Sequence, residues 1–244
     1  MGTGSKSLIP ARIGMGLSLV LFGVPAILLW VATHRVVPIL VERGWEPLAA
    51  WFLAGGALLL GPLLAAALIV GWLAVPRPSM QAILEHLRVR RLSAADWRLA
   101  GMTLAITIAA MAVLHVINAT IWPGLAPHPP FMAVRPLEPG QYYILALWLP
   151  FFAANIIGEE LWWRGAIQPR QEPVFGRMTW IVQGVLHGAL HLSFGFGLLF
   201  ILWPVVFSIP WAVQRSRNTS VGMVIHAGVN GPGFLAVTLG LLSA

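Results

Sequence analysis

The order of apolar and polar positions divides the chain into long uncharged stretches separated by short polar connections. Most of the stretches reach the roughly 20 helical residues needed to cross a hydrocarbon core of about 30 Å. Because lipid offers no partners to open backbone groups, helices are the expected form. The pattern predicts an all-α, polytopic transmembrane bundle of about seven or eight helices, with any eighth helix hidden in the last four segments. The seven apolar segments are 13–33, 49–75, 98–121, 143–168, 178–193, 195–213 and 219–243.

Neither an internal repeat nor a second domain interrupts this series. We therefore predict one integral membrane domain over residues 1–244. It divides into N-terminal helices over 13–121 and a helical core over 140–243, which carries the polar residues described below. The proline-rich stretch 122–140 between them is expected to form an ordered external loop.

Local signals refine the helix boundaries. Ser93 and Asp96 form the S-x-x-D pattern that starts a helix, so the third helix should begin there. Residues 80–92 alternate apolar and basic positions and should lie along the membrane interface. Three prolines fall inside apolar runs and are expected to kink or break their helices. They are Pro150, Pro204 and Pro210.

Composition agrees with a membrane protein and excludes several classes of chemistry. Only 9% of the residues are charged, against about 25% in soluble domains. The absence of cysteine excludes disulfides, thiolate catalysis and cysteine-bound metals. The formal net charge of +7 comes from arginines at the ends of apolar runs. This placement favours membrane lipids as partners and argues against nucleic acid.

The arginines also predict the orientation. The loop after the second segment carries Arg77, Arg88, Arg90, Arg91 and Arg98, and such a loop normally stays in the cytoplasm. Alternation from there places the N-terminus and the connections 164–177 and 214–218 in the cytoplasm. The loops 34–48 and 122–142 and the C-terminus then lie outside. We expect a multi-pass protein of a prokaryotic plasma membrane.

Several polar residues lie inside the later apolar segments. An ionisable group at the centre of a membrane helix costs roughly 3 kcal/mol or more, so each one needs a reason. Glu159 and Glu160 are adjacent within the fourth segment, although the whole chain has only eight acidic residues. The other members of this set, on later helices, are His187, His191, His226 and Asn230.

The spacing of these residues predicts a shared site. Glu160 and Arg164 are four residues apart and share a helix face, whereas Glu159 points about 100° away. At 1.5 Å per residue, Glu160 lies about 15 Å from Arg170, and His226 lies about 14 Å from Arg217. If those arginines mark the cytoplasmic surface, the polar groups lie at a similar depth. This arrangement suits a common water-filled cavity.

Three motifs in this region resemble those of a known family. E-E-x-x-x-R (Glu159, Glu160, Arg164), a histidine ending an apolar helix (His191) and H-x-x-x-N (His226, Asn230) occur in that order. They are similar to the motifs of the CPBP family, which comprises type II CAAX prenyl endopeptidases and bacterial relatives linked to bacteriocin immunity and processing. The resemblance covers roughly residues 140–243 and implies an intramembrane glutamic endopeptidase.

The resemblance also implies a role for each motif residue. Glu159 would activate water with the help of His191, while Glu160 and Arg164 would order the site. His226 and Asn230 would stabilise the oxyanion. A peptide or protein substrate, CAAX-like or otherwise membrane-associated and with or without a lipid, would enter a site that opens toward the cytoplasmic side. No cofactor is expected.

One departure from the family leaves an alternative open. Where the family usually has phenylalanine in F-x-x-x-H, this chain has His187. The resulting HxxxH pair could bind zinc, with Glu159 and His226 completing the ligand set beside His187 and His191. Otherwise His187 would line the cavity or help to move a proton.

Other functional classes fit less well. The sequence has no HExxH and no GxSxG, and its only aspartate is Asp96. These facts argue against the site-2, rhomboid-type and aspartyl intramembrane proteases. A non-catalytic scaffold or immunity protein of the same family remains an alternative. A small-solute transporter ranks third, because the polar residues are concentrated in one half of the chain.

Overall fold

The computed structural model describes residues 10–132 and 134–241, and its regular elements in that part are all helical. Lys6 and the final residues of the predicted segment 219–243 lie outside the described residues. The α-helices are α1 (Met15–Val31), α2 (Val37–Glu42), α3 (Pro47–Gly55), α4 (Gly61–Ala74), α5 (Met80–His86), α6 (Ala94–Ile121), α7 (Tyr143–Glu159), α8 (Gln168–Phe175), α9 (Thr179–Leu190), α10 (Phe196–Ser216) and α11 (Thr219–Thr238).

Short π-helical and 3₁₀ segments join several of these helices. The π-helical segments are Ala32–Val36, Gly56–Leu60 and Glu160–Ile167, and the 3₁₀ segments are Gly176–Met178 and His191–Phe194. As a result, α1 and α2 form one continuous run, as do α3 and α4. The first span therefore reaches Glu42, well beyond the predicted end at 33. An apolar pattern does not show where a helix leaves the membrane and continues in water.

Six helical runs in the described chain are long and apolar enough to cross a membrane, which makes this an integral, multi-pass protein. The fourth run, Tyr143–Phe194, has 52 residues. At 1.5 Å per residue this is about 78 Å, more than twice the hydrocarbon thickness. Gly176, with φ of 56°, interrupts the run near its middle, in a backbone region that favours glycine. The run therefore supplies two of the predicted segments. Together with the other five runs it accounts for all seven.

The local signals gave mixed results. The third helix does begin at the predicted cap, where Ser93 and Asp96 form a reciprocal capping box. Within the stretch 80–92, which is predicted to lie along the interface, the helix covers Met80–His86. The prolines do not break their helices, because α7 continues through Pro150 and α10 continues through Pro204 and Pro210; a kink at these positions stays a prediction. Neighbouring helices can support a proline within a membrane helix, so the helix does not have to end.

Glycines allow the segment that carries the two glutamates to pack closely against its neighbours. A Cβ at Gly158 would lie 2.9 Å from the Leu60 carbonyl oxygen, and one at Gly165 would lie 2.8 Å from the Leu87 oxygen. Small residues at such contacts are typical of membrane helix packing, where backbones approach each other directly. This packing holds the segment in the interior of the bundle.

Candidate active site

The site begins where α7 changes into a π-helix. Glu159 is the last residue of α7, and Glu160–Ile167 forms the wider π-helical turns. The apolar segment 143–168 gave no sign of this widening. π-Helical turns are rare and are frequently found at functional sites. Here the widened segment carries Glu160 and Arg164, and all eight of its residues are buried.

Glu160 and Arg164 form the predicted pair, and both residues are 0% exposed. An Arg164 guanidinium nitrogen lies 3.5 Å from Glu160 Oε1. His226 Nδ1 lies 3.0 Å from the same oxygen, so the histidine donates this hydrogen bond to the carboxylate. Among the described residues, Glu160 Oε2 has no hydrogen-bond partner. Gly222 faces it, and a Cβ there would collide with the carboxylate.

Glu159 makes a separate set of contacts, as its different helix face predicts. Asn155 Nδ2 donates to Oε1 at 2.8 Å, and His187 Nε2 lies 3.0 Å from Oε2. The second ring nitrogen of His187, Nδ1, lies 3.1 Å from an Arg164 guanidinium nitrogen. Because arginine can only donate, Nδ1 accepts, and the ring proton must sit on Nε2 and point at Glu159. The directed chain Arg164–His187–Glu159 therefore connects the two halves of the site.

Asn155 is the site residue that the sequence reasoning undervalued. From the sequence a packing role is expected for this residue, although its position one turn before Glu159 was an available signal. In the structure its amide nitrogen contacts Glu159, and its Oδ1 accepts a hydrogen bond from Asn230 Nδ2 at 3.0 Å. Asn155 thus links α7 to α11 and fixes the Glu159 carboxylate from the side opposite His187.

His191 ends α9, as predicted, but its contacts differ from those expected. Its Nδ1 donates to the His187 carbonyl oxygen at 2.9 Å. Within the described chain it makes no hydrogen bond to Glu159. A neutral His191 with its proton on Nδ1 presents a basic Nε2 instead. A neutral His226 likewise presents an unprotonated Nε2, because its Nδ1 carries the proton that is hydrogen-bonded to Glu160.

One cavity of about 410 Å³ joins these groups. Five of the predicted residues line it, and Asn155 is a sixth polar contributor; the five are Glu159, His187, His191, His226 and Asn230. Glu160 and Arg164 are buried behind that surface. The remaining wall is apolar and rich in aromatic rings, which include Trp51, Phe52, Trp148, Phe151, Phe152, Phe194 and Phe234. The predicted convergence of three helices on one cavity is confirmed.

From the polar residues the cavity continues toward the loops that carry few arginines. Beyond the polar residues its lining comes from Pro129 and Met132 in the 122–142 connection, Leu48 at the start of α3, Leu198 at the start of α10 and Val237 near the end of α11. All of these lie toward the loops that carry few arginines. The expectation of an opening on the arginine-rich, cytoplasmic side stays a prediction. The depth counted along the sequence placed the polar residues near the middle of the membrane. It did not show toward which set of loops the cavity extends.

The zinc alternative does not find a ready ligand set. Both ring nitrogens of His187 are already used, by Arg164 and by Glu159. Within 10–132 and 134–241, no group of three or more histidine, aspartate or glutamate residues is arranged to hold a metal ion. Binding zinc through His187 would first require both of its hydrogen bonds to break.

A comparison with known families bears on this same region. Residues 141–231 match the family model described as type II CAAX prenyl endopeptidase Rce1-like. Over these residues the chain is similar to that family. The match contains every motif residue from Glu159 to Asn230 and confirms the resemblance to the CPBP proteases. No curated protein and no solved structure matches the chain. The likeness supports a peptidase in general.

Proposed function

We propose that this protein is an intramembrane endopeptidase in which Glu159 activates a water molecule to hydrolyse a peptide bond. The observation that carries the proposal is the position of the Glu159 carboxylate. It lies in a cavity within the membrane bundle, inside the Rce1-like segment, and is oriented by Asn155 and His187. A carboxylate oriented in this way can act as a general base toward water.

The proposed reaction has two steps. Glu159 takes a proton from water as the water oxygen bonds to the carbonyl carbon, and the C=O electron pair moves onto the carbonyl oxygen. When this tetrahedral intermediate collapses, the C–N bond breaks and Glu159 returns the proton to the leaving amine. His191, whose Nε2 is free while Nδ1 is bound to His187, assists at the water.

His226 and Asn230 would stabilise the oxyanion of the intermediate. His226 can donate from Nε2 when it is protonated, while its Nδ1 holds the Glu160 carboxylate. Asn230 uses one amide hydrogen on Asn155 and has a second one to offer. Donors fixed in advance on a developing oxyanion often supply the largest single contribution to catalysis of acyl transfer.

The cavity wall supports an apolar, membrane-associated substrate. Trp148, Phe151 and Phe234 lie on the route between the polar residues and the cavity's outer end. An extended peptide with apolar side chains, or a CAAX-like peptide with an attached lipid, would match this lining. The zinc-dependent variant is the weaker proposal, because its ligand His187 is already hydrogen-bonded at both nitrogens.

The test is cleavage of a pooled peptide library, with and without prenylated members, by purified protein in nanodiscs. Wild type should cleave, while Glu159→Gln and His226→Ala should not, and a chelator should have no effect. Glu138→Gln is the matched control, because Glu138 is an exposed glutamate outside the cavity. Full activity in Glu159→Gln would refute the mechanism. A folded wild type that cleaves nothing would favour the non-catalytic scaffold.

A further inference from the structure

We propose that the peptide substrate reaches the site from the face of the membrane opposite to the arginine-rich loops, which is the extracytoplasmic face. This inference rests on the proposed function and adds the side from which the substrate comes. The scissile bond would belong to a membrane-associated peptide exposed on that face, and the cytoplasmic end of the bundle would remain closed.

The first observation is the direction of the cavity along three helices. On α7 its lining starts at Glu159 and continues back through Trp148, toward the 122–142 connection. On α11 the lining starts at His226 and continues forward to Val237. On α10 it runs from Ile209 back to Leu198. α7 and α11 thus place their polar residues toward the inner end of the cavity, and all three helices place apolar residues toward the same outer face.

The second observation is the closed layer on the other side of the site, formed by Leu87, Gln168, Gln183 and Thr219. All four residues are 0% exposed. Gln168 Nε2 donates to the Pro210 carbonyl at 2.8 Å, and Thr219 Oγ1 donates to the Leu87 carbonyl at 2.7 Å. These bonds tie α8 to α10 and α11 to the end of α5. Opening a route there would leave several buried polar groups without partners at once.

The third observation is the charge on the two faces. The connection between α5 and α6 carries Arg90 and Arg91, the α8–α9 connection carries Arg177, and the α10–α11 connection carries Arg217. All of these lie beyond the closed layer. The connection 122–142, which reaches the cavity's outer end, contains a single arginine, Arg135. Arginine-rich short loops stay in the cytoplasm, so the cavity faces the other compartment.

The chain is suited to a direct test because wild type has no cysteine. Single cysteines are placed in the cavity by Leu202→Cys and Val237→Cys, neither of which touches the proposed machinery. Glu138→Cys marks the connection near the cavity's outer end, and Arg177→Cys marks the opposite face. A charged, membrane-impermeant thiol reagent is then added to one face at a time, using intact cells and inverted vesicles, after each variant is shown to fold.

The expected result is that Leu202→Cys and Val237→Cys react from the same face as Glu138→Cys. Neither variant should be labelled from the face that labels Arg177→Cys. Labelling of Leu202→Cys from the Arg177 face would overturn the proposal. So would a folded Leu202→Cys that reacts from neither face, because a substrate route must admit water. Labelling does not require catalysis and can be repeated with Glu159→Gln, so this result is independent of whether the protein cleaves peptides.

Discussion

Replacing His187 with phenylalanine tests whether the chain Arg164–His187–Glu159 orients the proposed base. Phenylalanine has a ring of similar size, and it is the residue that the resembled family usually has at this position. The substitution removes both ring nitrogens while keeping a ring between Trp163 and His191, whose centroids lie 5.8 and 4.7 Å from that of His187. The change is therefore mainly one of hydrogen bonding.

The magnitude follows from the two bonds lost, 3.0 Å to Glu159 and 3.1 Å to Arg164. Hydrogen bonds to charged groups contribute about 1.5–3 kcal/mol each. If only the Glu159 bond matters for the reacting geometry, kcat should fall about 10- to 150-fold, since 1.4 kcal/mol is tenfold. The loss of the N–H that Glu159 accepts should also change the pH–activity profile.

His187→Gln separates this role from packing. A glutamine can accept from Arg164 through its oxygen and donate to Glu159 through its nitrogen, which reproduces the direction of both bonds. We therefore expect His187→Gln to recover most of the rate and the wild-type pH profile. The assay is cleavage of the best library peptide, with kcat and KM measured separately across pH.

The matched control is Val185→Phe, which adds the same ring to α9 at a residue that is 56% exposed. It should leave kcat and the pH profile unchanged. If His187→Phe kept the wild-type rate and profile, the relay would play no part in orienting Glu159. If His187→Gln were as impaired as His187→Phe while both remained folded, the ring itself, and not its bonding direction, would be what matters.

Two other substitutions test particular contacts. Asn155→Ala removes the bonds to Glu159 and Asn230, so kcat should drop on the order of tenfold with little change in KM; an unchanged kcat in the peptide assay would return Asn155 to a packing role. Gly222→Ala places a Cβ against the Glu160 carboxylate, so it should destabilise the fold by about 1–3 kcal/mol. The measurement is a thermal shift, with Gly101→Ala as the control because a Cβ there meets open space. Equal melting temperatures for the two variants would contradict this reasoning.

The sequence by itself determined the features that depend on positions close together along the chain. The length of the apolar stretches gave the membrane segments, and the S-x-x-D pattern gave the start of α6. The spacing of four residues was enough to pair Glu160 with Arg164. Counting residues from the arginines brought the polar groups to one level. Helix periodicity and rise fix the face and the depth of a residue, so these predictions needed no knowledge of the neighbouring helix.

Only the tertiary structure decided which of these faces meet. His187 contacts Glu159 across 28 positions, and Asn155 contacts Asn230 across 75. Such pairings depend on how α7, α9 and α11 are rotated and packed, which periodicity leaves open. The side on which the cavity lies is likewise set by where bulky side chains leave space between helices. For this reason depth along the chain brought the polar groups to one level, while the direction in which the cavity extends had to come from the packing.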